Sequence, residues 1–236
     1  QISDVVKKYN PDIIIHMAAQ SLVLKSYDYP LETFSTNTMG TVNLLDAIRK
    51  VGTPKVVLNV TSDKCYENKE LGIKFKEDDP MGGLDPYSSS KGCAELLTAS
   101  YRRSFIEKKG VGLASVRAGN VIGGGDWAKD RIVVDCIKSW SKNKPAIIRN
   151  PYATRPWQHV LEPLSGYLLL AASLKNSNKY HGQAYNFGPS PAQNYSVIDL
   201  ISETNSNLIS SILALLITSS EHNTLEVNNT LSANLT

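Results

Sequence analysis

Three apolar runs separated by two longer helical patterns restrict the fold of this chain more than any other feature. The runs are Asp12–Ala18, Lys55–Thr61 and Leu113–Ala118, and each has the length of a single strand. Apolar runs without polar alternation are typical of strands that a parallel sheet buries on both faces. Between them, apolar residues recur at helical spacing over Pro30–Val51 and Pro86–Lys109. This order of strand, helix, strand, helix and strand predicts an α/β fold with a doubly wound parallel sheet.

The ends of both predicted helices carry their own signals. Gly52 and Gly110 follow the two helical patterns and can end them in a left-handed conformation. Asp85 can cap the second helix, and Pro86 can open it. In the first helix, the apolar positions predicted to face the core are Leu31, Phe34, Leu44, Leu45 and Ile48.

A second part of the chain begins after Gly119, where the alternation is lost. The glycines of Gly123–Gly125 follow the third strand instead of opening the first helix, so they are not a dinucleotide-binding turn. A helix over 132–140 and a short strand over 146–149 are predicted next. We expect these residues to form a smaller, substrate-binding lobe.

The chain is then predicted to return to the sheet through a helix over 162–174 and a strand over 184–187, with a further helix from Ser196. The domains predicted from this order are a partial Rossmann-like domain over 1–122 with 156–188, a lobe over 123–155 with 189–203, and an atypical tail over 204–236.

Charge and cysteine content argue against several classes of protein. The chain has 25 Lys and Arg against 22 Asp and Glu, and the small excess is spread out, which does not favour nucleic-acid binding. Cys65, Cys93 and Cys136 are widely spaced without His neighbours, so we expect free thiols and no metal site. The longest purely apolar run, 212–217, is too short to cross a bilayer, and no signal peptide precedes the folded pattern. We therefore expect a cytoplasmic protein with neither a membrane nor a nucleic acid as partner.

Tyr87 and Lys91 are the strongest candidates for catalysis. Their spacing places a phenol and an ammonium on one face of the predicted helix. A nearby ammonium favours the phenolate, so the pair can act as a base. The Tyr-x-x-x-Lys pattern alone is weak and by chance is usually structural. Here it follows Thr61–Asp63, whose polar side chains come directly after a strand, where parallel sheets bind ligands.

The end of the first predicted strand offers a surface for a flat cofactor. The small side chains of Ala18 and Ala19 would let a ring approach the backbone, and Gln20 and Ser21 offer polar contacts. An Ala-Ala strand end is also common where a helix simply packs on a sheet. Asn37, inside a helical pattern, would by default be a neutral surface residue.

Five strings resemble, in order and spacing, the extended short-chain dehydrogenase/reductases. They are HMAAQ at His16–Gln20, NTMGT at Asn37–Thr41, TSD at Thr61–Asp63, YSSSK at Tyr87–Lys91 and RAGNV at Arg117–Val121. The similarity covers residues 1–203. It implies a Rossmann-like fold, NAD as cofactor, and a homodimer or higher homo-oligomer.

Longer strings resemble the CDP-glucose 4,6-dehydratases within that superfamily. They are TSDKCY at Thr61–Tyr66, DPMGG at Asp79–Gly83, AGNVIGGGDW at Ala118–Trp127 and RPWQHV at Arg155–Val160. Most related dehydratases have an Asp-Glu pair where this chain has Asp63 and Lys64. The resemblance implies a hydro-lyase that converts CDP-D-glucose to CDP-4-dehydro-6-deoxy-D-glucose.

The resemblance also implies a role for each catalytic residue. Tyr87, assisted by Lys91, takes the proton of the sugar 4-hydroxyl while hydride leaves C4 for NAD. The 4-ketone acidifies the C5 proton, and loss of that proton with the 6-hydroxyl gives an enone to which hydride returns at C6. Ser62 would hydrogen-bond the 4-oxygen, and Asp63 would protonate the departing hydroxyl. Lys64 stands where related enzymes have the C5 base, but a stabiliser of the enolate or a phosphate contact is the alternative.

Binding residues follow from the same resemblance. The implied cofactor contacts are Ala18, Ala19, Gln20, Asn37, Tyr87 and Lys91. The implied substrate contacts are Ser21, Asn120, Arg131 and Arg155. Arg155 is suited to bidentate binding of a phosphate, whereas Arg131 could equally form a surface salt bridge.

Both ends of the sequence depart from the family pattern. The glycine-rich turn that seats the cofactor pyrophosphate and the first strands of the sheet are expected before Gln1, so we expect these 236 residues alone to bind NAD poorly. In the tail, disorder, a poorly packed helix over 208–217 and a reading-frame error are open explanations. Another extended-family nucleotide-sugar epimerase or dehydratase, or an inactive fragment, remains the alternative function.

Overall fold

The structure is a computed structural model that describes residues 2–52, 54–69, 72, 74–142, 144–190, 193 and 195–204. The chain divides into two compact units, Gln1–Ile122 with Trp157–Ser190 and Gly123–Pro156 with Pro191–Thr236. The predicted tail helix over 208–217 lies outside the described residues.

Helices and strands alternate through most of the described chain. The strands are β1 (Ile13–His16), β2 (Val56–Val60), β3 (Gly112–Ala118), β4 (Val121–Ile122), β5 (Thr154–Arg155), β6 (Gln158–His159), β7 (Ala184–Phe187) and β8 (Tyr195–Ser196). The α-helices are α1 (Ile2–Tyr9), α2 (Val23–Asp28), α3 (Pro30–Phe34), α4 (Gly40–Val51), α5 (Pro86–Tyr101), α6 (Ile132–Trp140) and α7 (Leu161–Asn176), and residues 197–204 are also helical. Shorter turns are π-helical at Ser35–Met39 and Arg102–Ile106, and 3₁₀ at Asp63–Cys65, Glu107–Lys109 and Asn178–Tyr180.

A four-stranded parallel sheet in the order β1-β2-β3-β7 forms the centre of the first unit. Ile14 lies opposite Val57, and Val57 lies opposite Leu113. Ser115 lies opposite Ala184, where β7 joins β3. The predicted parallel sheet is confirmed, and the carboxyl ends of its strands lie along one edge.

Helices cover both faces of this sheet. Val57 and Leu113 belong to one core layer with Ile48 of α4. Their neighbours along the strands, including Leu58, belong to the opposite layer with Tyr167 of α7. Successive side chains of a strand point to opposite faces, so a strand buried on both sides needs an unbroken apolar run. The doubly wound arrangement is therefore confirmed.

The two long predicted helices each contain a π-helical turn. Gly52 and Gly110 adopt φ values of 70° and 68° and end the helical segments as predicted. The prediction for Leu31 is wrong, because its side chain is 86% exposed. Thr33 and Asn37 are buried there instead. The π turn inserts an extra residue into the helical repeat, so the apolar phase of α4 does not extend back into α3.

In the second unit, β5 and β8 form a short antiparallel pair with Thr154 opposite Ser196. Val197 donates a backbone hydrogen bond to Ala153 next to this pair. The strand predicted over 146–149 is wrong, since residues 144–148 have no regular structure. A strand requires a hydrogen-bonding partner, and β8 pairs with residues 154–155 instead.

Two predictions from composition can be compared with the structure. Cys65, Cys93 and Cys136 are free thiols, as expected. Within the described ranges, no helix combines the length and the apolar character that crossing a membrane would require.

Candidate active site

The end of β1 is fixed to the π-helical turn by the buried amide of Asn37. Its Oδ1 accepts from the backbone N–H of Gln20 at 2.8 Å, and its Nδ2 donates to the Gln20 carbonyl at 3.0 Å. The same Nδ2 donates to Ser90 Oγ at 2.9 Å, and Ser90 donates in turn to the Tyr87 carbonyl at 2.7 Å. The default reading of Asn37 as a surface residue is wrong, since its exposed fraction is 2%. It joins the segment after β1 to the helix that carries Tyr87 and Lys91.

The residues that follow β1 include two with small side chains, Ala18 and Ala19. Ala18 is exposed and Ala19 is half-buried, and neither adds more than a methyl group above the backbone. Gln20 is buried and turns inward, where its Nε2 donates to Thr33 Oγ1 at 3.0 Å. Ser21 is exposed beside it. The alanines thus leave an open surface, whereas Gln20 holds the strand end in place.

Tyr87 and Lys91 lie on the buried side of α5. The helix begins at Pro86, and Asp85 caps it by accepting from the Ser88 backbone N–H. Tyr87 is 8% exposed and Lys91 is 6% exposed. Both side chains therefore lie on one face of the helix, as predicted, and that face is almost completely buried.

The ammonium of Lys91 lies close to the end of β2. Its Nζ donates to the Val60 carbonyl at 3.2 Å, the one hydrogen bond that it forms among the described residues. Burial lowers the pKa of Lys91 to about 8, and the charge of Glu95 opposes that shift. Burial and the charge of Lys91 together lower the pKa of His16 on β1. Lys91 thus holds a desolvated charge with N–H donors to spare.

The turn after β2 brings Ser62, Asp63 and Lys64 together. Ser62 is 6% exposed and donates from Oγ to Asp63 Oδ1 at 3.0 Å. The backbone N–H of Lys64 donates back to Ser62 Oγ at 3.2 Å, which caps the 3₁₀ turn. This turn packs against α5. The predicted catalytic groups of the turn and of the helix thus share one region at the carboxyl edge of the sheet.

A close approach of backbones makes this packing possible. A methyl group on Gly92 would lie 2.8 Å from the Gly82 carbonyl oxygen and 3.4 Å from that of Cys65. Glycine at this point of α5 therefore lets the helix approach the backbone at Cys65 and Gly82.

Sequence reasoning missed a buried ion pair beside these groups. Arg117 on β3 and Glu95 on α5 are joined by two hydrogen bonds of 2.9 and 2.8 Å, and their side chains are 5% and 6% exposed. Burial opposes the charge of Arg117, but the bonds and charge of Glu95 outweigh it and raise the pKa of Arg117. A signal was present, because an arginine in an apolar strand requires a buried partner. Glu95 also lies one helical turn after Lys91.

A cavity of about 240 Å³ borders this ion pair. Glu95, Arg117 and Ser115 are among its lining residues, whereas Tyr87 and Lys91 are not. The cavity is therefore separate from the candidate active site.

The remaining predicted substrate residues are distributed over both units. Asn120 follows β3 in the first unit, and its carbonyl accepts from the Gln158 backbone N–H at 3.0 Å. Arg131 lies in the second unit, where it forms a salt bridge to Asp126 at 3.2 Å. Arg155, also in the second unit, is exposed and donates to the carbonyl of Thr154 at 2.9 Å.

The chain is similar to several known proteins. The family profile described as GDP-mannose 4,6 dehydratase matches residues 1–213. The chain is 56% identical over 189 residues to the CDP-glucose 4,6-dehydratase of Salmonella typhimurium, an alignment that covers 78% of this chain and 53% of that protein. The chain thus spans about half the length of this relative.

Solved structures share the fold. The UDP-glucuronic acid 4-epimerase of Bacillus cereus matches with a TM-score of 0.74 at 22% identity, covering 87% of this chain and 62% of that one. The dTDP-glucose 4,6-dehydratase of Bacillus anthracis, solved in complex with NAD, matches with a TM-score of 0.71 at 21% identity, covering 88% of this chain and 62% of that one.

Proposed function

The chain belongs to the GDP-mannose 4,6 dehydratase family of the extended short-chain dehydrogenase/reductases, and on that premise we propose that the protein dehydrates CDP-D-glucose to CDP-4-dehydro-6-deoxy-D-glucose. One observation carries the proposal beyond the family: the turn of Ser62, Asp63 and Lys64 packs against the helix of Tyr87 and Lys91. A simple alcohol dehydrogenation needs only the base, whereas expulsion of water needs an acid as well.

Tyr87 is the base that removes the proton of the sugar 4-hydroxyl. The buried cation of Lys91 on the same helix face stabilises the phenolate, because an opposite charge nearby favours the charged form. Lys91 keeps its charge only below its pKa of about 8, so the activity of the pair decreases above that pH. The tyrosine thus depends on the lysine for its reactivity.

Ser62 and Asp63 act on the oxygens of the sugar. The Ser62 hydroxyl, held by Asp63 at 3.0 Å, can turn its hydrogen toward the 4-oxygen. In its protonated form, Asp63 delivers a proton to the 6-hydroxyl as that group leaves as water. Lys64 is placed by the same turn, either as the base for the C5 proton or as the cation that stabilises the resulting enolate.

The residues at the strand end fit a nicotinamide cofactor. Ala18 and Ala19 leave the surface open to a flat ring, and the buried Lys91 ammonium has N–H donors that a ribose hydroxyl can use. Gln20, Asn37 and the chain of hydrogen bonds to α5 would keep this surface rigid. NAD, when bound, supplies the reversible two-electron oxidation that the overall reaction requires.

Two arginines are the candidate cations for the nucleotide diphosphate. We assign this role to Arg155, whose guanidinium is exposed, and to Arg131, whose pairing with Asp126 is a surface salt bridge that phosphate can replace. Asn120 and Ser21 of the first unit are assigned to the sugar. A homo-oligomer is proposed on resemblance to the family alone.

The proposal is tested by incubating the full-length protein with NAD and CDP-glucose, and in parallel with UDP-, GDP- and dTDP-glucose. We expect a 4-keto product, detected by the ultraviolet absorbance that it develops in base and by its loss of one water in mass spectrometry. Formation of the C4 epimer without loss of water would contradict the dehydratase assignment. A 4-keto product from another nucleotide in preference to CDP-glucose would contradict the choice of substrate.

A further inference from the structure

The carboxylate of Glu95 is saturated with hydrogen bonds. Its Oε1 accepts from the hydroxyl of Thr61 and from Arg117 Nε, and its Oε2 accepts from Ser115 Oγ at 2.7 Å and from Arg117 Nη2 at 2.8 Å. A buried carboxylate with four donors from two neighbouring strands cannot move without breaking several bonds. Glu95 therefore fixes α5 against the ends of β2 and β3.

The guanidinium of Arg117 also holds residues that follow the turn of Ser62, Asp63 and Lys64, which we call the catalytic turn. Its Nη1 donates to the Tyr66 hydroxyl at 2.7 Å and to the Glu77 carbonyl at 2.9 Å. The Tyr66 hydroxyl donates to Asn186 Oδ1 on β7 at 2.6 Å. Arg117 thereby holds Tyr66 and Glu77 against β3.

The hydrogen bonds of Glu95 and Arg117 involve residues on both sides of the groups assigned to catalysis. Thr61 directly precedes the turn of Ser62, Asp63 and Lys64, and Tyr66 follows that turn after one residue. Glu95 follows Lys91 by one helical turn on the same buried face of α5. The ion pair therefore contacts both sides of the catalytic turn as well as the helix of the catalytic pair.

We propose that Glu95 and Arg117 are positioning residues of the active site, which hold the turn of Ser62, Asp63 and Lys64 against α5, and that the carboxylate of Glu95 stabilises the cation of Lys91. The proposal rests on the proposed function for its catalytic reading. Neither residue is assigned a contact with substrate or cofactor, and both act through Thr61, Tyr66 and Lys91.

Among the described residues, few titratable groups interact with Lys91, which gives Glu95 a measurable influence. Glu95 faces it from its own helix, Cys65 from the turn after β2, and His16 from β1. Burial lowers the pKa of the ammonium and the charge of Glu95 raises it, so neutralising Glu95 must lower that pKa further. Lys91 would then lose its proton at a lower pH, and any activity that needs the cation would decline at a lower pH.

Glu95→Gln, in the full-length protein, tests this reasoning. We expect the alkaline limb of the kcat profile to move to lower pH by about one unit, so that the loss of kcat is about tenfold larger on that limb than at pH 6.5. Glu107→Gln is the matched control, since Glu107 is an exposed carboxylate paired with Arg102 after the same helix. The control should retain the wild-type profile.

The second variant, Glu95→Gln with Arg117→Gln, separates electrostatics from folding. Removing one partner of a buried ion pair leaves an unpaired charge, whereas removing both does not. We therefore expect the double variant to regain thermal stability while its alkaline limb stays displaced. A loss of kcat that is equal at every pH, or a wild-type profile in the double variant, would overturn the proposal.

A measurement without turnover distinguishes failure of this proposal from failure of the proposed function. The pKa of Lys91 can be read by NMR of ¹³C-labelled lysine side chains, assigned by comparison with Lys91→Met. A lower pKa in Glu95→Gln supports the proposal even if the wild type does not dehydrate CDP-glucose. An unchanged pKa in a wild type that does dehydrate CDP-glucose overturns the positioning role alone.

Discussion

Two arginines, one in each unit, show how differently the same side chain is used in this protein. Arg117 is 5% exposed and gives its hydrogen bonds to Glu95, Tyr66 and the Glu77 carbonyl. Arg155 is exposed, and within the described residues it forms no ion pair and donates to the carbonyl of Thr154. The protein's own groups use the donors of the first, whereas the second keeps donors for a ligand. The guanidinium of Arg117 is thus fixed by the fold, whereas that of Arg155 remains open to solvent.

The largest expected effect is that of Tyr87→Phe, which keeps the ring and removes the base. We expect kcat for CDP-glucose dehydration to fall about 10²- to 10⁴-fold, the contribution of a positioned general base. The ring still fills its buried site, and a thermal melt on the same sample checks that the variant is folded. A variant that retains wild-type kcat would show that the chemistry of the first unit does not depend on this phenol.

Arg117→Met tests how much the buried arginine contributes to the stability of the protein. Removing this guanidinium leaves the Glu95 carboxylate buried without its partner, and the free energy of unfolding should fall by about 3–5 kcal/mol in urea titrations. Arg49→Met is the control, because Arg49 forms an i, i+3 pair with Asp46 at the surface of α4. If both variants lost the same stability, burial of Arg117 would have no energetic consequence.

Asn37→Ala tests whether the strand end is fixed before the cofactor binds. The variant leaves the N–H and the carbonyl of Gln20 without partners, so we expect a loss of about 2–3 kcal/mol in unfolding free energy together with a higher KM for NAD. Asn43→Ala, at an exposed position of α4, is the matched control. A normal KM for NAD in the Asn37 variant would show that the hydrogen bonds of Asn37 do not contribute to cofactor binding.

The smallest expected effect belongs to the exposed arginine. Arg155→Met should raise the KM for CDP-glucose about tenfold, as loss of one charge-assisted phosphate contact would, with no change in unfolding free energy. Steady-state kinetics and a thermal melt on the same sample check both parts. A destabilised variant with an unchanged KM would show that Arg155 has a structural role, like Arg117, and does not bind the substrate.

The fold was predictable where the local pattern and the tertiary structure agree. The three apolar runs became adjacent strands, and Gly52 and Gly110 ended the helical segments. Leu31 and the strand over 146–149 were wrong, because a π turn shifts the helical phase and because an apolar run does not reveal whether a partner strand is present.

The candidate site was predictable in part for the same reason. Tyr87 and Lys91 are four residues apart, so helix geometry alone places them on one face. Asn37 and Ser90 are 53 residues apart, and only the packing of the π turn on α5 brings their side chains within hydrogen-bond distance.

The sequence by itself therefore determined the three central strands, the two long helical segments between them and the pair most suited to act as a base, since each depends on neighbours within one helical turn or one strand. Only the tertiary structure decided that Asn37 joins β1 to α5 and that Glu95 pairs with Arg117. Both results depend on burial, because a buried polar group must find a partner wherever the fold provides one. That partner can lie anywhere along the chain, and local sequence patterns do not identify it.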